Sequence, residues 1–168
     1  MLVCNHTGWA EPIWLAYAAY PKALHQMAKR ELFQSPAIAH LLRVLGAFPV
    51  DRGRPSRAML NHAVDLVSRG DWLLIFPIGT RSQSETKARR GAAVIASKAE
   101  ALIVPIHYEG PTKIGLFDLL NPPTIVIRFG PDIDVSPSAN DRQSTTELTA
   151  DLDRAIRAQR SSPSTNEV

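Results

Sequence analysis

The sequence predicts an α/β fold, a single mostly parallel central sheet flanked by helices, and three observations lead to it. Short β-like runs alternate with helical patterns along almost the whole chain, the arrangement that builds a sheet with helices on its faces. The run Trp72 to Phe76 is almost continuously apolar, as a strand covered on both faces of a parallel sheet must be. The length of 168 residues, with 45% hydrophobic and 21% charged residues, suits one core and excludes wholesale disorder, collagen and coiled coil.

Leu2-Val3-Cys4 reads as the first strand and ends in the polar turn Asn5-His6-Thr7-Gly8. Pro12 fits the first turn of a helix near 11–20, which Ile13, Trp14, Leu15, Tyr17 and Ala18 continue toward Pro21. Leu24 to Ala28 is a second strand. Ser35-Pro36 then caps a helix whose stripe Ile38, Leu41, Leu42 and Leu45 forms one face and which stops at Gly46. Phe48-Pro49-Val50 is extended, and the basic loop Arg52-Gly53-Arg54-Pro55 leads into a helix near 56–69, whose apolar positions include Leu60, Val64 and Val67 and which Gly70 closes.

After the strand Trp72 to Phe76, a loop from Pro77 through Thr86 precedes a helix near 90–100 and an apolar strand Ala101 to Ile106. Thr124 to Phe129, rich in β-branched residues, is the last strand. Thr145 to Gln159 reads as an amphipathic helix with Leu148, Leu152 and Ile156 on one face, and Ser161 to Val168 as a disordered tail, which leaves one domain over 1–160.

Composition narrows the function. A net charge of +3 is mild for a dedicated nucleic-acid binder, and the basic loops lack interleaved aromatics, so nucleic acid is not an expected partner. The single cysteine, Cys4, closes no internal disulfide, builds no Cys-rich zinc site, and reads as a buried strand residue. His25, His40, His62 and His107 show no metal-ligand spacing and read as structural or surface residues. No run approaches the ~18 apolar residues of a spanning helix, and no signal-peptide pattern follows Met1. Neither a G-x-S-x-G elbow nor a G-x-x-x-x-G-K-[ST] or G-x-G-x-x-G loop is present.

In α/β sheets chemistry gathers at the carboxyl ends of strands, where His6 and two basic loops fall. Glu11 lies five positions after His6. In a continuous helix that spacing turns roughly 500° and sets the side chains about 140° apart, but Thr7-Gly8 can bend the chain so that the carboxylate returns to the imidazole. Such a pair would fix the histidine tautomer and stabilise the imidazolium formed on proton removal. Spacing by itself favours a helix-start carboxylate and a surface histidine.

In the other loops, Gly79 allows close backbone approach, Thr80 and Arg81 suit phosphate oxygens, and Lys87, Arg89 and Arg90 precede a helix start. Arg52, Arg54 and Arg57 form a second basic set. An anionic-substrate cleft and a pair of solvated basic faces account for these loops equally well.

Taken together, the loops resemble the four sequence blocks of the glycerolipid acyltransferases, specifically the 1-acylglycerol-3-phosphate acyltransferase family. Asn5 to Glu11 is similar to the block N-H-x-x-x-x-D, with Glu11 where the family has Asp. Gly46 to Gly53 resembles the second block, with its arginine at Arg52, and Phe76-Pro77-Ile78-Gly79-Thr80-Arg81-Ser82 resembles F-P-E-G-T-R-S, with Ile78 in place of the glutamate. Val104-Pro105-Ile106 resembles the fourth block, and Ala28 to Leu32 and Arg89-Arg90-Gly91 fit connecting segments. Four blocks in order are far more specific than any one.

The resemblance implies a glycerolipid acyltransferase-like sheet and transfer of a fatty acyl group to the hydroxyl of lysophosphatidic acid or a related lysophospholipid in phospholipid synthesis. The donor would be a thioester, acyl-CoA or acyl carrier protein. His6 would be the general base and Glu11 its partner, with Arg52, Gly79, Thr80, Arg81 and Arg89 binding substrate and no metal or cofactor required. It also implies a cytoplasmic protein, peripheral at the cytoplasmic membrane, with the family's N-terminal segment absent. The extra methylene of Glu11 could displace its carboxylate and reduce activity, and Ile78 could alter the acceptor. The alternative is a catalytically weakened lipid-binding homologue of the same fold.

Overall fold

The computed structural model describes residues 1–6, 8–51, 56–76, 91–113, 115, 118, 121, 123–135, 154, 155 and 158. Among these, the strands are β1 (Leu2–Cys4), β2 (Leu24–Lys29), β3 (Ala47–Val50), β4 (Trp72–Ile75), β5 (Val104–Glu109) and β6 (Val126–Phe129). The helices are α1 (Glu11–Ala19), α2 (Pro36–Val44), α3 (Arg57–Ser68) and α4, described over 91–98, with a 3₁₀ turn at Arg30–Gln34. The expected α/β class is what forms. A six-stranded sheet runs in the order β3-β2-β4-β1-β5-β6, with β1 to β5 parallel and β6 antiparallel at one edge.

Each face of the sheet has its own core. Val3, Leu73 and Ile75 point to one face and pack with Ile103 against Ala63 and Val67 of α3 and Ala92, Ile95 and Ala96 of α4. Leu2, Cys4, Leu24, Leu74, Ile106 and Tyr108 point to the other and meet Leu15 of α1. The alternation explains why β4 reads as continuously apolar: Leu73 and Leu74 face opposite ways and both are fully buried. Truncating either to alanine would cost about 2–5 kcal/mol.

Connectivity places the site. From β1 the chain crosses β4 by way of α1 to reach β2, while from β4 it crosses β1 by way of α4 to reach β5. These adjacent strands therefore send their connections to opposite faces, and the carboxyl ends of β1 and β4 are left between them. Open α/β sheets hold ligands at such switch points.

The helix ends follow local chemistry in part. The Ser56 hydroxyl accepts from the Met59 N–H at 3.1 Å and caps α3, and Gly70, at φ +87°, closes its exit. Gly46 adopts φ +76° after α2 as expected. Ser35 occupies the N-cap position of α2, but its side chain makes no capping bond.

On the α2 face Ile38 and Leu41 are exposed and Leu42 and Leu45 half-buried, because the helix seats itself through Ala39. Two strand bounds need correction. The strand expected over Ala101 to Ile106 begins at Val104 and continues to Glu109, since β6 pairs with it as far as Glu109↔Val126. The last strand starts at Val126 rather than Thr124. The loop Pro77 through Thr86 and the tail from Ser161 lie outside the described residues, as does most of the helix expected over Thr145 to Gln159, of which Arg154, Ala155 and Ala158 are helical.

Candidate active site

β1 ends at Cys4, and the chain then turns through Asn5 to Ala10 before α1 begins at Glu11. Pro12 sits in the first turn of α1, where its missing N–H leaves no bond unmade. Of the described residues from His6 to Glu11, only Glu11 is helical, so the 140° separation of a continuous helix does not apply. The carboxylate turns back instead. Glu11 Oε2 lies 2.9 Å from His6 Nδ1, and Glu11 Oε1 accepts from the Gly8 N–H at 2.8 Å.

Glu11 is fully buried. A buried carboxylate is tolerated only when it is paired and hydrogen-bonded, and these two donors, together with the amino end of α1, meet that demand. A carboxylate oxygen only accepts, so Oε2 sets the neutral imidazole in the tautomer with its proton on Nδ1 and leaves the lone pair on Nε2. Nε2 makes no hydrogen bond among the described residues, and the histidine side chain is 28% exposed. The other side of the imidazole rests against Phe76 at the end of β4, with ring centroids 4.7 Å apart and planes tilted by 39°. Phe76, the first residue of the third block, thus meets the first block across the switch point.

Glycine is required at position 8, because a Cβ there would run into the Thr112 backbone. With its extra methylene, Glu11 still has donors for both carboxylate oxygens at ordinary hydrogen-bond distance.

Burial and then the Glu11 charge push the Cys4 thiol up to about 12, as suits its place in the core. At pH 8 only about one such thiol in ten thousand would be ionised. The native protein is therefore expected to resist iodoacetamide until it is unfolded. Mass spectrometry of the treated protein checks this, and rapid native alkylation would contradict it. The remaining histidines described in contacts are structural: His62 packs edge-on against Phe48 at 4.9 Å, and His107 is buried with Nε2 3.3 Å from Glu109. Among the described residues no group of His, Cys, Asp and Glu is placed to hold a metal ion.

Arg52, Gly79, Thr80, Arg81 and Arg89, like Ile78, lie outside the described residues. Their loops begin where described strands end: the second block leaves β3 at Val50 and the third leaves β4 at Ile75. What sequence reasoning missed is the contribution of Asn5, whose carboxamide bonds to the backbone of Tyr108 on β5. Its signals were its place directly after a strand and at the head of the N-H-x-x-x-x-D block.

A family model described as Acyltransferase matches residues 1–109. The 1-acyl-sn-glycerol-3-phosphate acyltransferase of Bacillus subtilis is 38% identical over 113 residues, covering 67% of this chain and 57% of that protein. The enzyme of the same name from Streptococcus pneumoniae is 36% identical over 137 residues, covering 81% and 50%. The chain thus spans about half the length of these curated relatives. In fold it is similar to the crystal structure of the 1-acyl-sn-glycerophosphate acyltransferase of Thermotoga maritima, with a TM-score of 0.60 at 19% identity, covering 98% of this chain and 67% of that one. With the family match running from the start of β1 to the end of β5, the chain belongs to the acyltransferase family.

Proposed function

We propose that this protein transfers a fatty acyl group from a thioester, acyl-CoA or acyl carrier protein, to the free hydroxyl of lysophosphatidic acid or a closely related lysophospholipid. The observation that carries this reading is the buried Glu11 holding the partly exposed His6 by Nδ1, with Nε2 unbonded among the described residues at the carboxyl edge of the sheet. The names of the curated relatives supply the acceptor class.

In this reaction Nε2 takes the proton of the acceptor hydroxyl as its oxygen attacks the thioester carbonyl carbon. A C–O bond forms, the carbonyl becomes a tetrahedral oxyanion, and its collapse breaks the C–S bond. The thiolate leaves with the proton returned from Nε2, so the products are ester and thiol, and the imidazole is regenerated. Glu11 stabilises the imidazolium in between and keeps the ring from rotating. General-base assistance of this kind is worth roughly 10²–10⁴-fold in rate.

The acceptor phosphate is assigned to the basic loops, with Arg81 and Arg52 as guanidinium donors and Gly79, Thr80 and Arg89 completing an anion-binding surface. We rank the two arginines by the strands their loops leave. The Arg81 loop leaves β4, next to β1, whereas the Arg52 loop leaves β3, three strands away and thus about 14 Å from β1 at the usual strand spacing. Arg81→Ala is therefore expected to raise the acceptor KM by about 10–100-fold, the worth of a hydrogen bond to a charged group, and Arg52→Ala by less, with the donor KM little changed in both. If both variants altered only the donor KM, the loops would belong to donor phosphates instead.

No helix among the described residues is long and apolar enough to cross a membrane. A lipid acceptor suits action as a peripheral protein at the cytoplasmic face of the membrane. Thiol release measured with acyl-CoA and acyl carrier protein donors against a panel of lysophospholipids tests the function. Acceptor-dependent release supports it, and lipid binding without release from any donor would make the protein a non-catalytic lipid binder.

A further inference from the structure

The turn that carries His6 is held by a segment outside the blocks that suggested the function. Main-chain pairing of β1 with β5 extends to Cys4↔Ile106. Beyond it the Asn5 side chain takes over the part of a peptide group: the Tyr108 N–H donates to Asn5 Oδ1 at 2.8 Å, and Asn5 Nδ2 donates to the Tyr108 carbonyl at 3.1 Å. The chain after Tyr108 then folds back. The Tyr108 hydroxyl donates to the Pro111 carbonyl at 3.0 Å, and a Cβ on Gly110 would approach that hydroxyl oxygen to 2.6 Å. Burial, followed by the nearby Glu11 charge, pushes the phenol up to about 12, so it remains a donor.

The folded-back segment meets the catalytic turn twice more. The Ala10 N–H donates to the Thr112 carbonyl at 3.3 Å, and the Gly8 backbone lies so close to Thr112 that no side chain fits between them. Asn5, Gly8 and Ala10 are thus fixed from one side, and they bracket His6 and the Gly8 N–H that holds Glu11. No residue of Tyr108–Thr112 is asked to touch substrate.

We propose that Tyr108–Thr112 is a positioning clamp for the His6–Glu11 pair, latched by the Asn5 carboxamide. Its kinetic consequence rests on the acyl-transfer reading above. A displacement of about 1 Å at a catalytic group can cost on the order of 10²-fold, so a loosened clamp lowers turnover without removing any group that binds substrate.

The test uses the full chain carrying Asn5→Ala, Asn5→Asp or Tyr108→Phe. Asn5→Asp keeps the acceptor for the Tyr108 N–H but sets an oxygen against the Tyr108 carbonyl. Both Asn5 variants are expected to lose at least about tenfold in kcat while the KM for donor and acceptor stays within about twofold. Tyr108→Phe, which frees only the Pro111 carbonyl, is expected to lose about three- to tenfold.

Nuclear magnetic resonance gives a readout that does not need activity. The low-field Nδ1 proton of His6, identified by its absence in His6→Ala, is expected to broaden or vanish in the Asn5 variants. A folded Asn5→Ala protein with wild-type kcat and an unchanged low-field proton would overturn the clamp. Should Asn5→Ala not fold, wild-type kcat and an unchanged proton in Tyr108→Phe would overturn it equally. If the wild type transfers no acyl group, the functional reading falls and the proton signal alone decides the clamp.

Discussion

His6→Ala is expected to reduce acyl transfer at least 10²–10⁴-fold, the range that a positioned general base contributes, while the protein remains folded. The side chain is partly exposed, and its described contacts are the Glu11 bond and the Phe76 ring, so little packing is lost. Removing it deprives a fully buried carboxylate of one donor, which costs about 1–3 kcal/mol and lowers the melting temperature by several degrees. The Gly8 N–H still holds the other oxygen. Circular dichroism and a thiol-release assay on the same preparation separate the two effects. A folded variant that turns over at the wild-type rate would remove His6 from the chemistry.

Glu11→Asp is expected to lower kcat by about 10²-fold, although aspartate is what the resemblance places at this position. In the structure the glutamate already spans from the start of α1 to both His6 and Gly8, at 2.9 and 2.8 Å. Shortening it by a methylene withdraws the carboxylate by about 1 Å from one partner or both. The side chain is fully buried, so no water replaces the lost contact without a cavity opening. Comparing kcat for wild type and Glu11→Asp at saturating substrates checks this. Equal rates would show that the turn closes up around the shorter side chain.

The alternating architecture and nearly every strand were legible because apolar runs such as Trp72 to Phe76 have few other uses in a short chain. The packing of α2 was not. Periodicity tells which residues share a helix face, and Ile38 and Leu41 do, but what lies opposite that face is a tertiary matter, and Ala39 is the residue that meets the body of the protein. The end of β5 was missed for a similar reason. His107 and Glu109 look polar in sequence, yet His107 pairs with Arg128 across the β5–β6 ladder, and Glu109 lies 3.3 Å from His107 and 2.8 Å from Arg128. At the site, His6 and Glu11 could be named from their types and the blocks they stand in. Their pairing was implied by the resemblance, while spacing by itself left it open, because the turn between them is held by Tyr108 and Thr112, about a hundred residues away along the chain.

In the proposed reaction the His6–Glu11 pair moves an acyl group onto a lysophospholipid hydroxyl. This is tested most directly by incubating the full chain with acyl-CoA and lysophosphatidic acid and counting both products, free thiol by colorimetry and diacyl phospholipid by mass spectrometry. The expected result is one diacyl product for each thiol released, with release falling to background when the acceptor is left out. Thiol release that is indifferent to the acceptor and yields free fatty acid would contradict it, because the open Nε2 would then be activating water.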